Sequence, residues 1–289
     1  MRRVAAAILI LTLLSGVARA ADPDVVLGIL EESPAVYAHS PTFFKVRLAF
    51  IRRSDKWAAV CTKDFCPPET VPDPTRQPVW HVGFSGKYLG SVSAPPHAAQ
   101  PEWVIEGRAV PRVGKPSAQY GGFLDSTVHR PLVVSSRRQF GDPDGWKKGA
   151  PPAASTAALK AAFWKKFPQV ENCKSRSDEY ARPWKYTDEN IKLTKYYTSR
   201  NGWAVAELLL SPYSCDGPED DAFTRQWFAI SPEGGIKFLD AGIWLVDAGD
   251  YDGDGKSELI FAIDRYNEGG YILFYDDFAR RATVDFHYH

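Results

Sequence analysis

Ile243-Trp244-Leu245-Val246, the spacer Asp247-Ala248-Gly249, the loop Asp250-Tyr251-Asp252-Gly253-Asp254-Gly255-Lys256-Ser257-Glu258 and the run Leu259-Ile260-Phe261-Ala262-Ile263 follow one another without a break. Both apolar runs are short and rich in branched and aromatic residues, the composition of β-strands. The loop between them therefore joins two strands. Its three alternating carboxylates, a glycine and a fourth carboxylate match what calcium needs, which is six to eight oxygens at about 2.3 to 2.6 Å around a tightly turned chain. Asp250, Asp252 and Asp254 supply the first, third and fifth ligands. Gly255, sixth, can take the angles of the sharp turn, which lets the carbonyl of Lys256 serve as the seventh-position ligand. Glu258 closes the site at the ninth. An EF-hand would carry a bidentate Glu at the twelfth place within a helix-loop-helix; here that place is Phe261.

In these residues the stretch resembles the loops of FG-GAP and VCBS repeats, the calcium-binding hairpins of integrin α-subunit-type β-propellers, whose motif is close to D-x-D-G-D-G-x-x-D before an apolar strand. The match covers residues 246–263. It implies Asp250, Asp252, Asp254, Glu258 and the Lys256 carbonyl as ligands, with Glu258 where the family more often has Asp. There is one complete copy; the nearest other fragment, Asp142-Pro143-Asp144-Gly145-Trp146, lacks the later carboxylates. The alternative reading is a solvated acidic turn holding no ion, in which four carboxylates within nine residues repel one another without a cation.

With 289 residues the chain has material for one large domain or two modest ones. Its 13% aromatic content and 22 prolines favour sheets joined by irregular loops over a helical bundle. Residues 1–20 carry Arg2 and Arg3, an apolar run and Ala18-Arg19-Ala20, the layout of a secretory signal peptide. The apolar run is short of the roughly twenty residues that span a bilayer, so a retained anchor is the lesser alternative. The expected location is therefore outside the cytoplasm, periplasmic or extracellular. Removal of that peptide takes three of 35 basic groups and none of 35 acidic ones, leaving a net charge of −3. Residues 201–289 hold seventeen acids against six bases, which favours metal ions over anionic partners, and nothing supports nucleic-acid binding. In an exported chain Cys61, Cys66, Cys173 and Cys215 read as two disulfides, with Cys61–Cys66 and Cys173–Cys215 the favoured of three pairings.

The expected fold is mainly β, built of antiparallel hairpins and meanders, with an atypical or partial β-propeller as one form of it. Strands are expected at 25–30, at 43–51 (Phe44, Val46, Leu48 and Phe50 facing one way, Lys45 and Arg47 the other) and at 57–60. Hairpins follow at 79–92 and at 191–210, the second turning at Asn201-Gly202, where both residues need positive φ. Shorter strands are expected at 226–230, 236–239, 271–275 and 283–288. One short helix is expected at 155–167, capped by Ser155 and ended by Pro168. The Gly/Pro/Ala-rich stretch 141–154 divides an N-terminal β-rich lobe, 21–150, from a C-terminal lobe, 151–289.

Catalytic signatures are missing: Ser85 lacks the second spaced glycine of a nucleophile elbow and reads as a turn serine, and no H-E-x-x-H occurs. Asp285, His287 and His289 share one face of the last strand, where a polar strand face is the simpler reading than a transition-metal site. Trp184, Tyr186, Tyr196 and Tyr197 could face a sugar and are equally explained by packing. The expected role is an exported, calcium-binding, non-enzymatic binding or surface-interaction module with a structural calcium ion, its partner a carbohydrate or a surface protein. The alternatives are a secreted or periplasmic hydrolase acting on polysaccharide or cell-wall material, and a structural component of an envelope assembly.

Overall fold

The computed structural model describes residues 25–33, 43–60, 79–93, 99–101, 109–113, 131–168, 170, 186–211 and 221–287. In chain order its strands are β1 (Val25–Ser33), β2 (Phe43–Arg53), β3 (Lys56–Ala59), β4 (Val79–Phe84), β5 (Lys87–Ser93), β6 (Ala99–Pro101), β7 (Ala109–Val113), β8 (Leu132–Ser135) and β9 (Lys147–Lys148). After helix α1 (Ala153–Lys166) come β10 (Ile191–Thr198), β11 (Ala204–Leu210), β12 (Gln226–Ile230), β13 (Ile236–Ala241), β14 (Ile243–Gly249), β15 (Glu258–Arg265), β16 (Glu268–Tyr275) and β17 (Arg280–His287). The fold is mainly β, with antiparallel sheets and one α-helix among the described residues, as expected from the alternating and apolar runs.

Among the described residues three open sheets form. The first has eight strands in the order β5-β4-β8-β1-β2-β7-β6 with β3 on β2; the second is β13-β12-β11-β10-β9; the third is the meander β14-β15-β16-β17. The third sheet is apolar on both faces. Along β15, Ile260 and Ala262 pack with Val25, Leu27, Ile29, Phe50 and Val133 of the first sheet. Leu259, Phe261 and Ile263 point the other way and pack with Val205, Trp227 and Ala229 of the second. The same alternation runs through Tyr271 to Tyr275 of β16, which is why these strands read as unbroken apolar runs. Each such buried side chain contributes roughly 1.5 to 3 kcal/mol. The outer face of the second sheet is covered by Leu159 and Phe163 of α1.

Three local expectations need correction. Helix α1 starts two residues early: Pro152, with φ −59°, is its N-cap and offers no side-chain cap, so Ser155 lies inside the first turn and caps nothing. A register shift across Leu27 and Gly28 leaves Ala49 as an extra residue in β2, which turns Phe50 to the face opposite Phe44, Val46 and Leu48. Third, the β10–β11 turn is a wider loop closed by the Ser199 N–H to the Trp203 carbonyl, and of Asn201 and Gly202 only Gly202 has positive φ, +90°. The four cysteines, Trp184, His289 and residues 1–24 lie outside the described residues. No helix among the described residues is long and apolar enough to cross a membrane.

The stretch 141–154 is anchored along its first part. The Asp250 N–H donates to the Gly141 carbonyl at 2.5 Å, and Phe140 joins the core shared by the first and third sheets.

Candidate metal centre

The loop between β14 and β15 turns because its own carboxylates collect its backbone N–H groups. Asp250 Oδ1 accepts from Gly253 (2.6 Å) and Asp254 (3.1 Å), and its Oδ2 accepts from Gly255 (3.1 Å). Asp252 Oδ1 accepts the Asp254 N–H at 3.1 Å, and Asp254 Oδ1 the Lys256 N–H at 2.8 Å. Gly253 and Gly255 have φ of +82° and +89°, the left-handed region that glycine takes without strain. This tight coil brings one carboxylate oxygen from each of Asp250, Asp252 and Asp254 within 4.8 Å of one another.

Glu258 and Lys256 stand apart from that trio. Glu258, buried at the start of β15, accepts the Tyr251 N–H on Oε2 at 2.8 Å. The Lys256 amine reaches outward to Asp277 Oδ2 at 2.9 Å, so only its backbone carbonyl is available to the loop. Attraction and hydrogen bonding to Asp277 raise the Lys256 pKa.

One cation does approach the carboxylates. Arg52 of β2 places Nε 2.8 Å from Asp252 Oδ2, whose side chain is 1% exposed. The approach is a close ion pair without hydrogen-bond alignment, and among the described residues this oxygen accepts no hydrogen bond. Burial raises the Asp252 carboxyl pKa, the Arg52 charge lowers it, and repulsion from Asp254 and Asp250 raises it again, with a net upward shift. Glu258 is pushed up to about 9, by burial first and then by the charges of Asp252, Asp254 and Asp250, against the opposing Tyr251 N–H. One guanidinium thus faces four acidic groups, and the loop is short of positive charge. Hard carboxylate oxygens on a short coil fit a hard divalent cation such as calcium and suit thiophilic metals poorly.

Around the loop lies a shell that local sequence patterns did not reveal. Asp142 Oδ1 accepts from Ser257 Oγ at 2.7 Å, and Asp144 Oδ2 accepts the Ser257 N–H at 2.9 Å. Asp144 also takes Nδ2 of Asn201 on its other oxygen, 3.1 Å away, tying in the β10–β11 turn. The fragment Asp142-Pro143-Asp144-Gly145 therefore serves as a clamp on the loop. Tyr251 is fully buried and donates its hydroxyl to Asp247 Oδ2 at 3.2 Å, while Asp247 Oδ1 accepts the Ser85 N–H at 2.8 Å. Burial and the neighbouring Asp247 and Glu258 charges hold the Tyr251 phenol well above its usual range. Ser85 is thus a turn residue, at φ +50°.

The aromatic candidates are accounted for by packing where they are described. Tyr186 meets Phe223 with centroids 5.6 Å apart, Tyr196 is 6% exposed, and Tyr197 stacks on Trp227 at 6.3 Å. Asp285 of β17 pairs in register with Gly270 of β16, and the side chain of His287 lies outside the described residues. Comparison with known protein families, with characterised proteins and with solved structures found no match to this chain.

Proposed function

We propose that the chain is an exported calcium-binding β-rich protein, a binding or surface-interaction module in which a structural calcium ion holds the β14–β15 loop. The convergence of Asp250, Asp252 and Asp254 oxygens within 4.8 Å on a glycine-turned coil is the observation that carries this reading. Bound there, the ion supplies charge neutralisation and no chemistry. The chain's own contribution is placement. Arg52 attaches the loop to the first sheet, Ser257 attaches it to the 142–146 turn, and Asn201 links that turn to the second sheet. An ion that orders the loop thereby stabilises its hold on the 142–146 turn and, through Asn201, on the second sheet, by an amount set by its concentration relative to its dissociation constant. Outside the cytoplasm a site of roughly 10⁻⁴ to 10⁻³ M suffices. The resemblance of residues 246–263 to calcium-binding repeat loops supports the same reading.

Equilibrium dialysis of the folded chain against calcium, followed by metal analysis, tests it. One ion per chain is expected, reduced to background in Asp250→Ala. Absence of bound calcium at millimolar concentration overturns the proposal.

A further inference from the structure

Arg52 stands 32 positions beyond the end of the expected leader, on a different sheet from the loop, yet its guanidinium is the only cation of the described residues in an ion pair with Asp250, Asp252, Asp254 or Glu258. Its side chain is 14% exposed and its guanidinium carbon lies 5.9 Å from the centre of the Trp57 ring, which helps hold it in place. The oxygen it faces, Asp252 Oδ2, is buried and accepts no hydrogen bond. A carboxylate oxygen in that condition has coordination capacity to spare, and a single off-line guanidinium contact leaves most of it unused.

Resting on the calcium reading above, we propose that Arg52 is a tethered competitor for the metal. It is a fixed monovalent cation on Asp252 that lowers the affinity of the loop for a divalent ion. Two physical facts support the direction. Calcium affinity in such loops follows the charge of the ligand set. A positive charge held within a few ångströms of that set, at a partly buried site where salt screens little, repels the incoming ion. Removal of the Arg52 charge therefore tightens calcium binding even though it deletes a native contact, the opposite of what deleting a merely structural contact does. Linkage makes the effect reciprocal: calcium must weaken the hold of Asp252 on Arg52 by the same factor.

Calorimetric calcium titrations of wild type, Arg52→Gln, Arg52→Met and Arg52→Lys test this. The uncharged variants are expected to bind about tenfold tighter than wild type, and Arg52→Lys, which keeps the charge, within about twofold of it. Arg52→Met retains an apolar stem beside Trp57, so a folding defect in the Gln variant does not end the test. The wild-type protein gives an independent reading. Modification of Arg52 by phenylglyoxal, followed by peptide mass spectrometry, is expected to be faster with calcium than with chelator. Equal or weaker calcium binding by the uncharged variants overturns the competitor role, as does equal tightening in Arg52→Lys or an Arg52 modification rate indifferent to calcium. No calcium binding by any of the proteins overturns the metal reading itself.

Discussion

Asp144 and Ser257, 113 positions apart, bind each other twice: the Ser257 N–H donates to Asp144 Oδ2 at 2.9 Å and the Asp144 N–H to Ser257 Oγ at 3.4 Å. A turn within the stretch expected as a boundary between lobes is thereby clamped to the acidic loop. Ser257→Ala removes the hydroxyl from both Asp142 and Asp144, and Asp144→Ala leaves a part-buried N–H without its acceptor. Each is expected to lose about 1 to 3 kcal/mol in urea denaturation. The double variant should lose clearly less than the sum, because the separate hydrogen bonds broken by the two changes join the same two segments, and losing one loosens the other. Strict additivity contradicts the clamp.

Glu31 gives the fold a pH dependence of known sign. Burial raises its carboxyl pKa, but the Arg47 charge and hydrogen bond, the Lys45 charge and the Tyr271 hydroxyl outweigh that and lower it from 4.5 to about 2. Arg47 Nε and the Tyr271 hydroxyl sit 2.7 and 2.6 Å from Oε1. A depressed folded-state value means that the stabilisation, about 3 kcal/mol, is fully present above pH 4.5 and is lost as pH falls from there through about 2. Glu31→Gln should remove this share of the acid sensitivity between pH 4.5 and 2 while lowering stability at neutral pH, both read from denaturation midpoints. An unchanged acid profile would sink the assignment.

The third sheet is expected to be sensitive on both faces. Ile260 packs towards the first sheet and Phe261 towards the second, both fully buried. Ile260→Ala should cost about 2 to 5 kcal/mol and Phe261→Ala about 3 to 5. A one-sided sheet would show a large loss at only one of the two positions.

Much of this architecture is legible in short windows of sequence because the signals are local. Strand 226–230 follows from its own apolar run, and the β4–β5 hairpin from Ser85-Gly86 between two alternating segments. What local patterns cannot show is pairing at a distance. Nothing near Leu132 indicates that β8 inserts between β1 and β4, and nothing near Arg52 points to a loop two hundred residues away. The face of Phe50 was also hidden, because a bulge is set by the partner strand. In the candidate site, the three aspartates and two glycines announce themselves by spacing. Asp142 and Asp144 left a trace as a motif fragment, but their role is to hold backbone and hydroxyl groups of the loop.

Two glycines separate strain from collision. Gly255, at φ +89°, has nothing within 4 Å of where a Cβ would stand, whereas at Gly270, φ +148°, that atom would meet the Val284 carbonyl oxygen at 2.2 Å. Gly255→Ala is expected to cost about 1 to 2 kcal/mol, from backbone strain alone. Gly270→Ala should cost well over that, because the obstacle is backbone of the paired strand β17. Equal melting temperatures for the two variants would contradict this geometry.

The most direct test of the central claim is a thermal melt of the chain with calcium, with magnesium and with chelator, beside Asp252→Ala/Asp254→Ala. The account predicts a melting temperature raised by calcium, raised less by magnesium, and indifferent to both in the variant. A wild-type melt that is the same in all three conditions contradicts it, and leaves the loop a solvated acidic turn.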